Sequence, residues 1–316
     1  MNQATGIPEG NVLVGASHTH SGPDLQGLWC FVSDAYRQQV IDGVVDAISE
    51  AYARREPARL YLSKGTGNAN NRRGWGYTDD ELTVLDVRSA NDDTRRIGTV
   101  IQFAAHPVTL GSSNLLFSSD YCHYVRTYAE AELNATVIYF NGAIGDVSPR
   151  GDGSAFERAE SYGAEIATIA LQTMAAQEPV ADVGLHIETA YYRHEVTNPL
   201  FKLADAVGML DYDFNDEDDT VDMQVSYFRI GSALDGVAFP GESLTNNALP
   251  IKEVMTAKYR FFFGLNGDTL GYFVPTDEWD ITGYEEKISI NKYVGDVTRD
   301  LLIAIITGQS NSTRVQ

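Results

Sequence analysis

The sequence predicts an α/β fold, a mixed β-sheet core flanked by helices. Stretches with apolar residues at helical spacing alternate along the chain with β-branched and aromatic runs. Several of the strand-like runs end directly in polar, ligand-capable residues, as happens where a sheet delivers side chains to a shared edge. With 316 residues and 43% hydrophobic content the chain can bury a full core, and its length suits one large domain or two small ones.

Taken in order, the β-branched and aromatic run Asn11 to Ala16 reads as a strand, and the helically spaced apolar residues from Ser33 to Arg55 as a helix. Strands follow over Ala58 to Ser63, Leu82 to Val87 and Gly98 to Ala105. Helical spacing returns over Asp120 to Asn134 and Phe156 to Gln177, on either side of a strand from Thr136 to Phe140. The second half alternates in the same way. Strands are expected over Val183 to Val196, Met223 to Ile230, Gly236 to Phe239 and Tyr259 to Leu265, with helices over Leu244 to Lys258 and Ile288 to Thr307.

Charge removes one class of function. The 44 acidic residues outnumber the 23 basic ones for a formal charge of −21, which repels nucleic-acid phosphates and anionic membrane surfaces. No nucleic-acid partner is expected. Cys30 and Cys122 are too few for a disulfide framework or a cysteine zinc site. The opening residues lack the basic and apolar regions of a signal peptide, and no apolar run is long enough to span a bilayer, so the chain reads as soluble and unexported. The acidic run Asp211 to Asp222 begins Asp-x-Asp-x-Asn but has Asp216 where a calcium loop needs glycine and Asp222 where it needs a bidentate glutamate; it reads as a solvated loop.

Four segments carry the chemistry. In NVLVGASHTHSGP, His18 and His20 project to one face if the strand continues; both could bind a metal, or one could bind while the other handles protons. IGTVIQFAAHPVTL is a buried-strand pattern ending in His106 and Pro107, where proline stops the ladder. In VIYFNGAIGDVSP a compact polar turn holding Asp146 and Ser148 follows a strand, without the Gly-x-Ser-x-Gly of a nucleophile elbow. GVAFPGES puts Glu242 near a helix start, where an acid suits the helix dipole or could ligate a metal. Two histidines and a carboxylate form a catalytic zinc set with a position open for water.

In their order along the chain these segments resemble the neutral/alkaline, non-lysosomal ceramidase family. The SHTHSGP motif is complete from Ser17 to Pro23, followed by Asn71-Arg72, the His106-Pro107 pair, Ser118-Ser119-Asp120, Gly145-Asp146-Val147-Ser148-Pro149 and Pro240-Gly241-Glu242. The segment GYFVPTDEWDITGYEE keeps Tyr272 and Tyr284 at the family's separation. The resemblance implies one zinc hydrolase domain over residues 1–316, with Zn2+ held by His18, His106, Glu242 and Tyr272. It further implies that His20, Arg72 and Tyr284 surround the scissile carbonyl, that Ser148 bonds substrate, and that Asp146 orders its turn or orients a zinc-bound imidazole.

The implied reaction is cleavage of a linear amide in a lipid-like N-acyl substrate by a zinc-activated water. An esterase or lactonase on the same scaffold is the alternative, because such a water also cleaves a more reactive ester; a non-catalytic binding protein is a further one. The chain departs from the family pattern at Arg73-Gly74, where Ser-Pro is common, and at Asp24, where glycine is common. It also begins close to the SHTHSGP motif, without the family's amino-terminal section, and ends without the immunoglobulin-like domain. An unpaired sheet edge left by that section leads to the expectation of a homodimer.

Overall fold

A computed structural model describes residues 5–27, 29, 32–210, 214 and 218–309. Elements are numbered in chain order. The first sheet comprises β1 (Ala58–Thr66), β3 (Glu81–Ser89), β4 (Arg96–Phe103), β5 (Thr136–Asn141) and the short β7 (Glu178–Pro179), in the order β5-β4-β3-β1-β7. Only β4 and β5 run parallel; the other pairs are antiparallel. The second sheet has the order β12-β10-β9-β8, from β8 (Leu185–Glu195), β9 (Thr220–Ile230), β10 (Leu234–Ala238) and β12 (Tyr259–Phe263). Here β10 and β12 are the parallel pair.

Strand alternation sorts the apolar side chains into layers. Leu82, Val84, Ile101 and Val137 pack outward under α2 (Tyr121–Leu133) and α3 (Ala155–Thr173), against Val125, Tyr162 and Ile166. Leu62, Leu85, Val100 and Phe140 point the other way and meet Phe228, Phe261 and Phe263 of the second sheet. Beyond that sheet, Met223, Val225, Val237 and Phe262 pack with Ile251 of α5 (Thr245–Val254) and Leu302 and Ile305 of α7 (Val294–Ile306). The expected mixed-sheet core flanked by helices is therefore present, built as two stacked sheets with helices outside each.

Most of the expected helices and strands form within a few residues of the sequence reading. The run Asn11 to Ala16 does not: it holds the end of a 3-10 turn (Glu9–Asn11) and a single bridge between Gly15 and Asn266. The last helix starts at Val294 instead of Ile288, because Ile290 carbonyl accepts from the Thr197 and Asn198 amides and Asn291 Oδ1 accepts from Tyr293 N, which commits 290 and 291 to bonds outside a helix. A helix absent from the sequence reading, α4 (Pro199–Ala206), is capped by Asn198 Oδ1 on Leu200 N at 2.9 Å, with proline at its first turn. Of the acidic run, residues 211–213 and 215–217 lie outside the described residues, as does Cys30; Thr220 to Asp222 open β9. Cys122 is a free, buried thiol.

The helix α1 (Asp34–Ala53) buries none of its residues. Its Gly43 is exposed, and an added Cβ there meets nothing within 4 Å. Gly43→Ala is expected to stabilise the helix by about 0.5–1 kcal/mol through lost backbone freedom in the unfolded chain; urea denaturation checks this, with a raised midpoint and an unchanged slope.

Candidate metal centre

The two parallel pairs end at the same place. Past β4 the chain runs Ala104-Ala105-His106, and past β5 it enters the Gly142 to Asp146 turn; Gly142 N donates to Phe103 O at 3.1 Å. Gly264 N, just beyond β12, donates to Asn141 O at 3.0 Å and ties the second sheet to the first. Past β10 come Phe239-Pro240-Gly241 and then Glu242. The region beyond the carboxyl ends of parallel strands is where open α/β sheets bind ligands.

His106 is fully buried, and its backbone N donates to Val147 O at 3.0 Å. Its Nδ1 lies 3.0 Å from Ile144 O. A carbonyl can only accept, so Nδ1 carries the proton and Nε2 presents a lone pair. Burial pushes the imidazole pKa well below its usual value against the opposing pull of Glu242, so the ring is neutral, as a metal ligand requires. Ile144 carbonyl thus orients the ring. Asp146 does not: its oxygens accept from Asn71 Nδ2 at 2.6 Å and from Thr245 N and Oγ1 at 2.8 and 2.9 Å, ordering the turn.

Glu242 is not at a helix start. It begins β11 (Glu242–Ser243), which pairs in parallel with β13 (Tyr272–Phe273) so that Glu242 sits opposite Tyr272; α5 starts three residues later. The approach demands glycine at 241, with φ +155° and a hypothetical Cβ only 2.3 Å from a Phe273 ring carbon. Burial raises the Glu242 carboxyl, but the facing His18 imidazole and the Tyr272 hydroxyl outweigh it and hold the group at about 2. It is an anion under ordinary conditions.

His18 and His20 do not share a strand face. His18 has left-handed φ at +60°, a conformation costing about 1–3 kcal/mol for a non-glycine residue. The segment is held by Ala16 N on Leu265 O at 3.0 Å, by Asn141 Nδ2 on Ser17 O and by Thr19 Oγ1 on Ser118 O at 2.6 Å. The turn brings His18, His20 and His106 together, with ring centroids 4.8–5.2 Å apart. Their ring nitrogens lie within 4.8 Å of one another. His20 is exposed at the mouth; close packing of protein around it and the neighbouring His18 lower its pKa.

The residues suit a metal. His18 Nε2 and His106 Nε2 lie 3.3 and 3.4 Å from the same Glu242 Oε2. Donors arranged tetrahedrally about zinc at about 2.0–2.1 Å stand about 3.3 Å apart. His106 Nε2 and Glu242 Oε2 are also buried without a hydrogen-bond partner among the described residues, an arrangement that is costly unless a further group satisfies them.

Around this core, Tyr272 is buried with its ring stacked 6.4 Å from His106, and burial together with Glu242 raises its pKa well above 10. Tyr284 opens α6 (Tyr284–Lys287), half exposed, edge-on to Tyr272 at 5.8 Å. Arg72 follows β2 (Ala69–Asn71); its N donates to Asp146 O at 2.6 Å and its Nη2 to Gly145 O. Ser148 sits in β6 (Val147–Pro149) opposite Asn70 of β2 and makes no side-chain hydrogen bond among the described residues. The sequence reading missed Ile144, whose contribution is a carbonyl and leaves no side-chain signal. It also missed Glu285, which lies 3.7 Å from Arg72 Nη2; the Glu-Glu pair directly after Tyr284 was the available clue.

Comparison with known proteins agrees with this architecture. The matched segment is 28% identical to a neutral ceramidase of Pseudomonas aeruginosa over 147 residues, 40% of this chain and 22% of that protein. It is 27% identical to neutral ceramidase B of Dictyostelium discoideum over 173 residues, 45% of this chain and 24% of that protein. The chain therefore matches about a quarter of the length of these relatives. The crystal structure of the Pseudomonas aeruginosa neutral ceramidase superimposes with a TM-score of 0.78 at 18% identity, over 97% of this chain and 62% of that one. A structure described as ceramidase complexed with C2 gives 0.77 at 17% identity, over 97% and 63%. Residues 6–230 match the family model described as neutral/alkaline non-lysosomal ceramidase, N-terminal, and the chain belongs to that family.

Proposed function

We propose that this chain is a zinc-dependent hydrolase cleaving the amide bond of a lipid-like N-acyl substrate of the ceramide type. The observation that carries the reading is the convergence of two histidine nitrogens on one buried carboxylate oxygen at 3.3 and 3.4 Å. His18, His106 and Glu242 would hold the ion, with Tyr272 beside Glu242 as the fourth ligand. Zinc supplies Lewis acidity there, polarising a carbonyl and acidifying water at neutral pH. The relatives bear amide-hydrolase names, so the ester alternative is not favoured. Among the described residues, no helix is long and apolar enough to cross a membrane.

The remaining residues divide the work by position. His20, at the mouth and kept neutral by its surroundings, takes the proton released by the attacking water and hands it to the leaving nitrogen. Arg72 and the Tyr284 hydroxyl donate to the carbonyl oxygen as charge grows on it, each well-placed donor contributing about 3–4 kcal/mol in comparable sites. Ser148 orients substrate from the wall formed by β6. Buried His106 and Glu242 face away from solvent, which keeps their interactions strong.

Metal analysis with turnover of an N-acyl amide panel tests the reading: about one zinc per chain and activity abolished by chelation and restored by zinc are expected. His20→Ala is expected to cut amide turnover by about 10²–10⁴-fold while retaining zinc, and to cost p-nitrophenyl esters far less, because they lose only the acceptor of the water's proton and their leaving group needs no proton. Equal loss on both substrates would remove His20 from the proton-donor role. No zinc and no amide turnover would reject the whole reading.

A further inference from the structure

Arg73 stands next to Arg72 but faces a different set of partners. Its side chain is only 15% exposed. Nη2 donates to Glu286 Oε1 and to Glu278 O, both at 2.8 Å, and Nη1 to Glu285 Oε2 at 3.4 Å. Glu286 Oε1 also accepts from Asp280 N at 3.1 Å, and the Glu286 side chain is 1% exposed. One guanidinium thus grips both carboxylates that follow Tyr284 and the loop that precedes it.

The grip is anchored on the metal side. Arg73 N donates to Asn71 Oδ1 at 2.8 Å, while Asn71 Nδ2 donates to the buried Asp146 at 2.6 Å. Glu285 is shared: its other oxygen lies 3.7 Å from Arg72 Nη2. Without Arg73, Glu285 would be free to turn wholly onto Arg72 and neutralise the charge that faces the site. A planar fork with several donors suits this three-way contact in a way a lysine does not.

We infer that Arg73 is a positioning residue that clamps the Tyr284 segment and shares Glu285 with Arg72, setting both carbonyl-contacting side chains. Its kinetic consequence rests on the proposed amide hydrolysis; the clamp itself does not. Arg73→Ala, Arg73→Lys, Tyr284→Phe and the Arg73→Ala/Tyr284→Phe double variant of the whole chain would be compared for bound zinc, kcat and KM on an N-acyl amide, and hydrogen exchange of peptides spanning 279–288. Expected for Arg73→Ala are unchanged zinc, a fall in kcat of about 10²-fold from displaced catalytic groups, and faster exchange over 279–288. Arg73→Lys should recover part of the rate. In the Tyr284→Phe background the further loss should shrink to a few-fold, because the part of the effect that runs through Tyr284 is already gone and only the part through Arg72 remains. Unchanged exchange over 279–288 would overturn the clamp. Fully multiplicative losses, or loss of zinc in Arg73→Ala, would overturn its action through Tyr284. If the unaltered chain cleaves no amide, the functional reading fails and the exchange result alone decides the clamp.

Discussion

Glu242→Gln is expected to leave a folded protein that retains only a trace of zinc and has lost nearly all amide turnover. The substitution conserves volume in a position that is 6% exposed, so packing against Tyr272 and Ser243 survives. What disappears is the anion on which His18 and His106 converge. A structural zinc site is worth about 10–16 kcal/mol over four ligands, so one charged ligand accounts for about 3–4 kcal/mol, a factor on the order of 10²–10³ in zinc affinity. Metal analysis after dialysis, circular dichroism and turnover check this together. Full retention of zinc in the variant would show that Glu242 is not a ligand.

The second large effect is expected at a residue without a side chain. Gly145 N donates to Ser243 O at 2.8 Å, and a Cβ at 145 would stand 2.6 Å from Glu242 O, 2.8 Å from Ser243 O and 2.8 Å from Leu244 Cδ1. Two of these atoms are backbone of the strand that carries Glu242, so relief cannot come from a flexible side-chain end. Gly145→Ala should destabilise the fold by about 1–3 kcal/mol, the usual cost of overpacking. It should also shift Glu242, and a displacement near 1 Å costs on the order of 10²-fold in rate. Thermal unfolding, zinc content and kcat should therefore all fall, whereas Gly43→Ala, with open space around it, raises stability and leaves kcat alone.

How far the site was legible in the sequence varies with the kind of information each residue needs. His106 and Glu242 stand just past strand-forming runs, and a strand end is a local signal, so both positions were readable as candidates. The pairing of Glu242 with Tyr272 was not: it needs two two-residue strands whose register is set by contacts thirty positions apart, including Gly241 against Phe273. A shared face for His18 and His20 depended on the strand expected over Asn11 to Ala16 continuing past its end, and that strand rested on the β-branched composition around Val12 to Val14. Composition does not register that Val14 and Ala16 bond to the 264–267 loop instead of to a sheet strand, nor that His18 turns left-handed.

The sequence by itself determined the α/β class, the placement of the long helices and strands, and the residue types gathered at strand ends, because these follow from periodicity and local propensity. Tertiary structure alone decided that there are two stacked sheets, that two parallel strand pairs deliver His106 and Glu242 to one point, and that Ile144 carbonyl, and not Asp146, orients the imidazole. It also decided that Arg73 reaches Glu285 and Glu286, more than two hundred residues away. The reason is physical: periodicity records which face of an element is apolar, whereas the meeting of a carbonyl, a carboxylate and a guanidinium depends on long-range register and close packing that no local window contains.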